Sequence, residues 1–196
     1  MLIVDNNCFV VEIPKTGSST LQWIVDKVYN GSVLNGHHPV SEAKLKNENK
    51  NFSQIVAVVR NPEDRLVSAV NYCLKNAATQ SGSAKPKNKS AIAKEASQLM
   101  KGAIKGYSKK DGLVKHFCFR TQQSFLDTAD KVKIFTFNEL HLAARHLGWN
   151  GDMPHINQGE AWIAKSDLQV LTPYKELLPL YEADMKLYES FSIFEV

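Results

Sequence analysis

Apolar positions along this chain switch between two periods, and the switches mark its elements. Cys8-Phe9-Val10-Val11-Glu12-Ile13 is a short apolar run rich in β-branched side chains, the composition of a buried strand. From Leu21 the period lengthens. Leu21, Ile24, Val25 and Val28 fall at helical spacing, and Asn30-Gly31 supplies the stop. Val33-Leu34 fits a short second strand, and Ser41 to Lys46 a short helix. Ile55-Val56-Ala57-Val58-Val59 is uninterrupted, as expected of a central parallel strand covered on both faces. A helix from Pro62 to about Ala78 follows, with Asn61 as its cap and Glu63 and Asp64 favoured by its dipole. Asn76 to Ser90 reads as a mobile loop, and Ser90 to about Lys105 as a helix with Ile92, Ala96, Leu99 and Ala103 on one stripe.

Further on, Leu113 to Leu126 reads as helical, and Lys131 to Phe137 alternates as a strand should. Asn138 is placed to cap a helix through His146, closed by Gly148. Gly151 to Trp162 reads as a loop. Thr172-Pro173 opens a C-terminal helical region that Pro179 divides, with a final helix to about Phe191. There is no internal repeat. Strand and helix alternate, so the expected class is α/β: three layers, with a mostly parallel sheet between helices.

Two junctions carry candidate chemistry. Ile13-Pro14-Lys15-Thr16-Gly17-Ser18-Ser19-Thr20 joins a strand to a helix start, where unbonded amides and the positive end of the dipole attract anions. Gly17 would let a phosphate approach the backbone, Ser18, Ser19 and Thr20 add hydroxyls, and Lys15 adds a charge. This is not the common nucleotide loop, because the lysine precedes the glycine and no G-x-x-x-x-G-K-[ST] string occurs. An ordinary capped strand-to-helix turn is the competing reading. The second junction is Arg60-Asn61-Pro62-Glu63-Asp64-Arg65-Leu66-Val67-Ser68. It puts Arg60 at the carboxyl end of a strand, where open α/β sheets bind ligands. A structural ion pair from Arg60 to Glu63 or Asp64 is the alternative there.

Together these junctions resemble the two cofactor motifs of the sulfotransferases that use 3′-phosphoadenosine 5′-phosphosulfate (PAPS), nearest the carbohydrate (Golgi-type) branch. Pro14 to Thr20 is similar to the family's 5′-phosphosulfate loop, and Arg60 to Ser68 to its 3′-phosphate motif. Weaker echoes occur at Phe119-Arg120-Thr121-Gln122-Gln123-Ser124-Phe125-Leu126, Phe137-Asn138-Glu139-Leu140, Pro154-His155-Ile156-Asn157 and Tyr181 to Tyr188. The resemblance implies a P-loop-like sulfotransferase fold, PAPS as cofactor, 3′,5′-ADP as product and a hydroxyl-bearing acceptor, with glycans and anionic acceptors among the candidates. It assigns the 5′ group to Pro14, Lys15, Thr16, Gly17, Ser18, Ser19 and Thr20, and the 3′ phosphate to Arg60 and Ser68. A small P-loop-like kinase and a non-catalytic binder of phosphorylated or sulfated ligands are the alternatives.

Sulfuryl transfer, like phosphoryl transfer, rests on positioning and charge stabilisation. Lys15 is the candidate to neutralise the leaving oxygen. A base must take the acceptor's proton, and histidine suits that task near neutral pH. His37 and His38 precede the short helix in the region where the resembled enzymes place a catalytic histidine. His38 ranks slightly ahead, because Pro39 restricts its backbone. The pair could equally be a loop detail or a weak metal site. His155 and Asn157 are candidates for the cofactor or acceptor side, with Arg120 and Gln123 weaker on the acceptor side. Trp162 suits either adenine stacking or simple burial.

Composition narrows rather than redirects this picture. At 196 residues, with 43% apolar and 22% charged side chains, the chain fits one globular domain spanning 1–196. The segment from Lys75 through Lys115 holds ten lysines, both ends included, against only Glu95 and Asp111, so a basic mobile insertion is expected around 76–112. It is either a solvated face or a rim attracting an anionic acceptor. The net charge of +4 is too mild to indicate nucleic acid. Apolar runs of five or six residues exclude a membrane helix, and Asp5, Asn6 and Asn7 interrupt any signal segment, so a cytoplasmic enzyme or a trimmed catalytic core is expected. Cys8, Cys73 and Cys118 are odd in number and lack C-x-x-C spacing. They read as reduced, buried thiols, and no metal is expected.

Overall fold

The apolar run at Ile55 lies inside a four-stranded sheet. In the computed structural model, which describes residues 2–4, 8–29, 36–46, 52–82, 88–106, 116–127, 129, 131–154, 156 and 160–192, chain order is β1 (Leu2–Val4), β2 (Cys8–Val11), α1 (Ser18–Tyr29), α2 (Val40–Lys46), β3 (Gln54–Val59), α3 (Pro62–Ser81) and α4 (Lys89–Lys105). Two 3-10 turns (Phe117–Phe119 and Gln123–Phe125) precede β4 (Val132–Thr136), α5 (Leu140–His146), α6 (Lys165–Gln169), α7 (Thr172–Leu177) and α8 (Glu182–Ser192). The chain divides into two compact units. The first holds Met1–Arg60, Gln122–Gln158 and Lys186–Val196, and the second holds Asn61–Thr121 and Gly159–Met185.

The first unit contains the whole sheet, in the order β1-β2-β3-β4. β2, β3 and β4 run parallel, with Phe9 opposite Ile55 and Ala57 opposite Ile134, while β1 pairs antiparallel with β2. Alternation along each strand sorts side chains onto two faces. Val10, Val56, Val58 and Phe135 meet Leu21 and Val25 of α1 and Ala143 of α5. Phe9, Val11, Ile55, Ala57 and Val59 meet Val40 and Ala43 of α2, Phe125, and Leu187 and Tyr188 of α8. The class is therefore α/β, a parallel three-stranded core flanked by helices on both faces. β1 was not foreseen, and the expected strand at Val33-Leu34 lies outside the described residues.

The second unit is helical. Its core joins Leu66, Val70 and Leu74 of α3 to Ile92, Ala96 and Met100 of α4, to Phe119, and to Leu168, Tyr174, Leu177 and Tyr181. Met100 takes the fully buried place expected of Leu99, one position further along the stripe. Trp162 is half-buried against this core, and its amide donates to Asn71 Oδ1 at 2.7 Å. Asn71 also donates to the Ile163 carbonyl at 3.0 Å, so the buried amide side chain is satisfied on both ends.

Three local expectations change. α3 does not give way to loop at Asn76 but runs to Ser81, where Gly82 caps it with φ +64°. Of the expected helix from Leu113 to Leu126, residues 113–115 lie outside the described residues, and 116–126 do not form one helix. Arg120 is extended between the two 3-10 turns, and its carbonyl accepts from Arg65 Nη2 at 2.8 Å. The turn leading into α5 is opened by Thr136, whose amide donates to Glu139 Oε2 at 2.8 Å, and Asn138 is not its cap. Among the described residues, no helix is long and apolar enough to cross a membrane.

Candidate functional site

The site is the carboxyl edge of the sheet in the first unit. Where β2 ends, the Ile13 amide bonds back to the Val11 carbonyl at 3.0 Å and the buried Thr16 hydroxyl donates to the Ile13 carbonyl at 2.9 Å. These bonds fold Pro14 to Gly17 into a tight turn. Lys15 pays for that tightness with φ +68°, in the left-handed region that glycine favours. Gly17 has φ +89°, and its carbonyl accepts the amides of Thr20 and Leu21, which starts α1. The amides of Ser18 and Ser19 have no acceptor inside α1, as at any helix start. Ser19 is exposed, whereas Thr16, Ser18 and Thr20 are buried.

Gly17 is also fixed by packing. A Cβ there would lie 2.9 Å from Leu140 Cδ2 and 3.4 Å from Phe137 Cε2, so protein atoms already occupy the space a side chain would need. Lys15 is the strained residue of this turn, because a side chain with a Cβ is costly at a left-handed φ. Lys15→Gly is expected to leave stability unchanged or to raise it by up to about 1 kcal/mol. Urea unfolding measures this; a clear loss would mean that the lysine side chain holds the turn.

Arg60 follows β3 and reaches the same turn. Its Nη1 donates to the Lys15 carbonyl at 3.3 Å, and its guanidinium lies over the Phe137 ring at 4.4 Å. Gln122, wholly buried, clamps the Arg60 backbone from both sides: Oε1 accepts its amide and Nε2 donates to its carbonyl, each at 2.9 Å. Sequence reasoning chose Arg120 and Gln123 and passed over Gln122. The carboxylates of Glu63 and Asp64, the alternative partners considered for Arg60, are engaged by Lys165 at 3.0 and 2.8 Å within the second unit.

The histidines turn to different partners. His37 Nδ1 lies 2.7 Å from the carbonyl of Glu12, three residues before Lys15, and the Gly36 amide donates to Glu12 Oε2 at 3.3 Å. A carbonyl only accepts, so Nδ1 carries the proton and Nε2 is the proton acceptor of the neutral ring. His38 Nδ1 instead pairs with Glu42 Oε1 at 2.8 Å, one turn along α2.

The structure thus ties Arg60 to Lys15 within the turn and His37 to Glu12 just before it. Ser68 is half-buried on α3 and Arg120 is half-buried, both in the second unit. Gln123 is exposed in the first unit. His155 and Asn157 lie outside the described residues. No protein-family model, no curated protein and no solved structure matches this chain.

Proposed function

We propose that this chain is a PAPS-dependent sulfotransferase, in the sulfotransferase fold that its two motifs resemble. The observation that carries the reading is the Arg60-to-Lys15 hydrogen bond, which joins the end of β3 to the turn before α1. It gathers an arginine, a lysine and a helix start on one sheet edge, an arrangement suited to a ligand with more than one phosphate-type anion. In this reading the amides of Ser18 and Ser19 and the Lys15 ammonium hold the 5′-phosphosulfate, and Arg60 binds the 3′ phosphate. The bond from sulfur to the bridging oxygen breaks as the bond to the acceptor oxygen forms. Lys15 balances the charge that develops on the leaving phosphate, and a histidine receives the acceptor's proton. The acceptor class is a hydroxyl compound, with carbohydrates suggested by the resemblance alone.

Thermal-shift titrations with 3′,5′-ADP, 5′-AMP and ATP with magnesium test the assignment. A charged hydrogen bond is worth about 1.5–3 kcal/mol, so 3′,5′-ADP should bind at least about tenfold more tightly than 5′-AMP. Arg60→Ala should remove that preference and keep the fold. Equal binding of 3′,5′-ADP and 5′-AMP refutes the reading, and a preference for ATP with magnesium replaces it with a kinase.

A further inference from the structure

Three potential metal ligands converge in the second unit, within neither of the two cofactor-like motifs. Cys73 sits on the core-facing side of α3, among Ala69, Val70 and Leu74. Forty-three residues later His116 precedes the 3-10 turn Phe117–Phe119, and its Nδ1 accepts the amide of Cys118 at 3.3 Å. One ligand atom from each of Cys73, His116 and Cys118 lies within 4.8 Å of the others. Both ring nitrogens stand 3.9 Å from Cys73 Sγ, and neither thiol is in a disulfide.

We propose that Cys73, His116 and Cys118 form a binding site for a thiophilic divalent cation, with zinc as the best-suited ion. Bond lengths of about 2.3 Å to sulfur and about 2.0–2.1 Å to nitrogen put tetrahedral ligands roughly 3.5–3.8 Å apart. The Cys73–His116 separation of 3.9 Å is already close to that range. Two thiolates and an imidazole make a soft set that selects zinc over magnesium or calcium. The two cysteines are buried, whereas His116 is exposed, which gives the ion a route from solvent and leaves a fourth position for water. The ring accepts at Nδ1, so its proton is on Nε2. Binding therefore exchanges the long contact from the Cys118 amide for a metal bond at the same nitrogen. Each thiol releases its proton to solvent, so two protons leave for every ion bound. The ion would tie α3 to the turn that begins at Phe117. This site belongs to the second unit and does not depend on the sulfotransferase reading.

The test is a titration of the reduced, chelator-stripped 196-residue chain with cobalt, followed by competition with zinc. One equivalent should produce a thiolate-to-cobalt charge-transfer band and the intense visible bands of a tetrahedral site, and zinc should abolish both. Loss of an outer-shell partner already weakens metal sites about 10–100-fold, so His116→Asn should weaken binding by at least about tenfold. Cys118→Ser should do the same, and Cys8→Ser should change nothing. Because Cys118 is buried and its variant could unfold, the exposed His116 variant, checked for folding by circular dichroism, is the decisive one. Absence of the charge-transfer band at one equivalent, or equal affinity in wild type and His116→Asn, overturns the site.

Discussion

Replacing His37 with alanine is expected, on the proposed sulfotransferase reading, to lower turnover of PAPS to 3′,5′-ADP by about 10²–10⁴-fold with a competent acceptor, the usual contribution of a general base. Nucleotide binding should survive the change. The argument is one of tautomer and address. His37 gives its Nδ1 proton to the Glu12 carbonyl at 2.7 Å, which leaves Nε2 to accept a proton, and that carbonyl lies three residues before Lys15. His38 is turned to Glu42 on α2, so its orientation is tied to that helix rather than to the turn. We therefore place His37 ahead of His38, the reverse of the order drawn from Pro39. His38→Ala should cost much less than His37→Ala. The pH profile gives a second readout: His37→Ala should lose the rise in rate with pH that a histidine base imposes. The opposite ordering would assign the base to His38, and near wild-type rates in both variants would exclude the pair and leave Glu42 as the next residue to test.

What the sequence made legible is what local physics decides. The run of β-branched residues before Arg60 could hardly be anything but a central strand. Asn61-Pro62 marked the helix start, where Asn61 Oδ1 accepts the amides of Glu63 and Asp64 at 3.0 and 3.3 Å. The stripe of Leu21, Ile24, Val25 and Val28 marked the inner side of α1, with the first three buried and Val28 half-buried. What stayed hidden depends on partners far along the chain. Gln122 has no local signature, yet its amide meets both backbone groups of Arg60, sixty-two residues away. The left-handed backbone of Lys15 cannot be inferred from a lysine, which rarely adopts it. The segment around Phe117 and Phe125 has the apolar content of a helix, but two 3-10 turns and an extended Arg120 satisfy the same burial. Likewise the Cys73, His116 and Cys118 group has no motif spacing, because α3 and a distant turn supply its members.

Arg65→Met should destabilise the fold by about 3–5 kcal/mol, as removal of one partner of a buried charged group typically does. Arg65 is 1% exposed, and its Nη2 donates to the carbonyls of Arg120 at 2.8 Å and Cys118 at 3.4 Å. Burial pulls the guanidinium below its ordinary pKa, while Tyr181, Asp184 and Cys118 act in the opposite direction. Asp184 is itself fully buried, and Tyr181, whose own pKa is pushed well up by burial, donates its hydroxyl to the Phe119 carbonyl at 2.5 Å. Methionine fills much of the arginine's volume, so the loss would come from electrostatics and not from a cavity. Two carbonyls would lose their donor, and the Asp184 carboxylate would keep its burial without the nearby cation. Arg65→Lys retains the charge but lacks the planar fork that spans both carbonyls, and should fall between wild type and Arg65→Met. Coupling decides whether the charge is the cause. If it is, Asp184→Asn introduced into Arg65→Met should recover part of the loss, so the double variant costs less than its two single changes added together. Urea unfolding of wild type, the two single variants and the double variant measures this directly, and strict additivity would show that the Asp184 carboxylate is not the source of the loss.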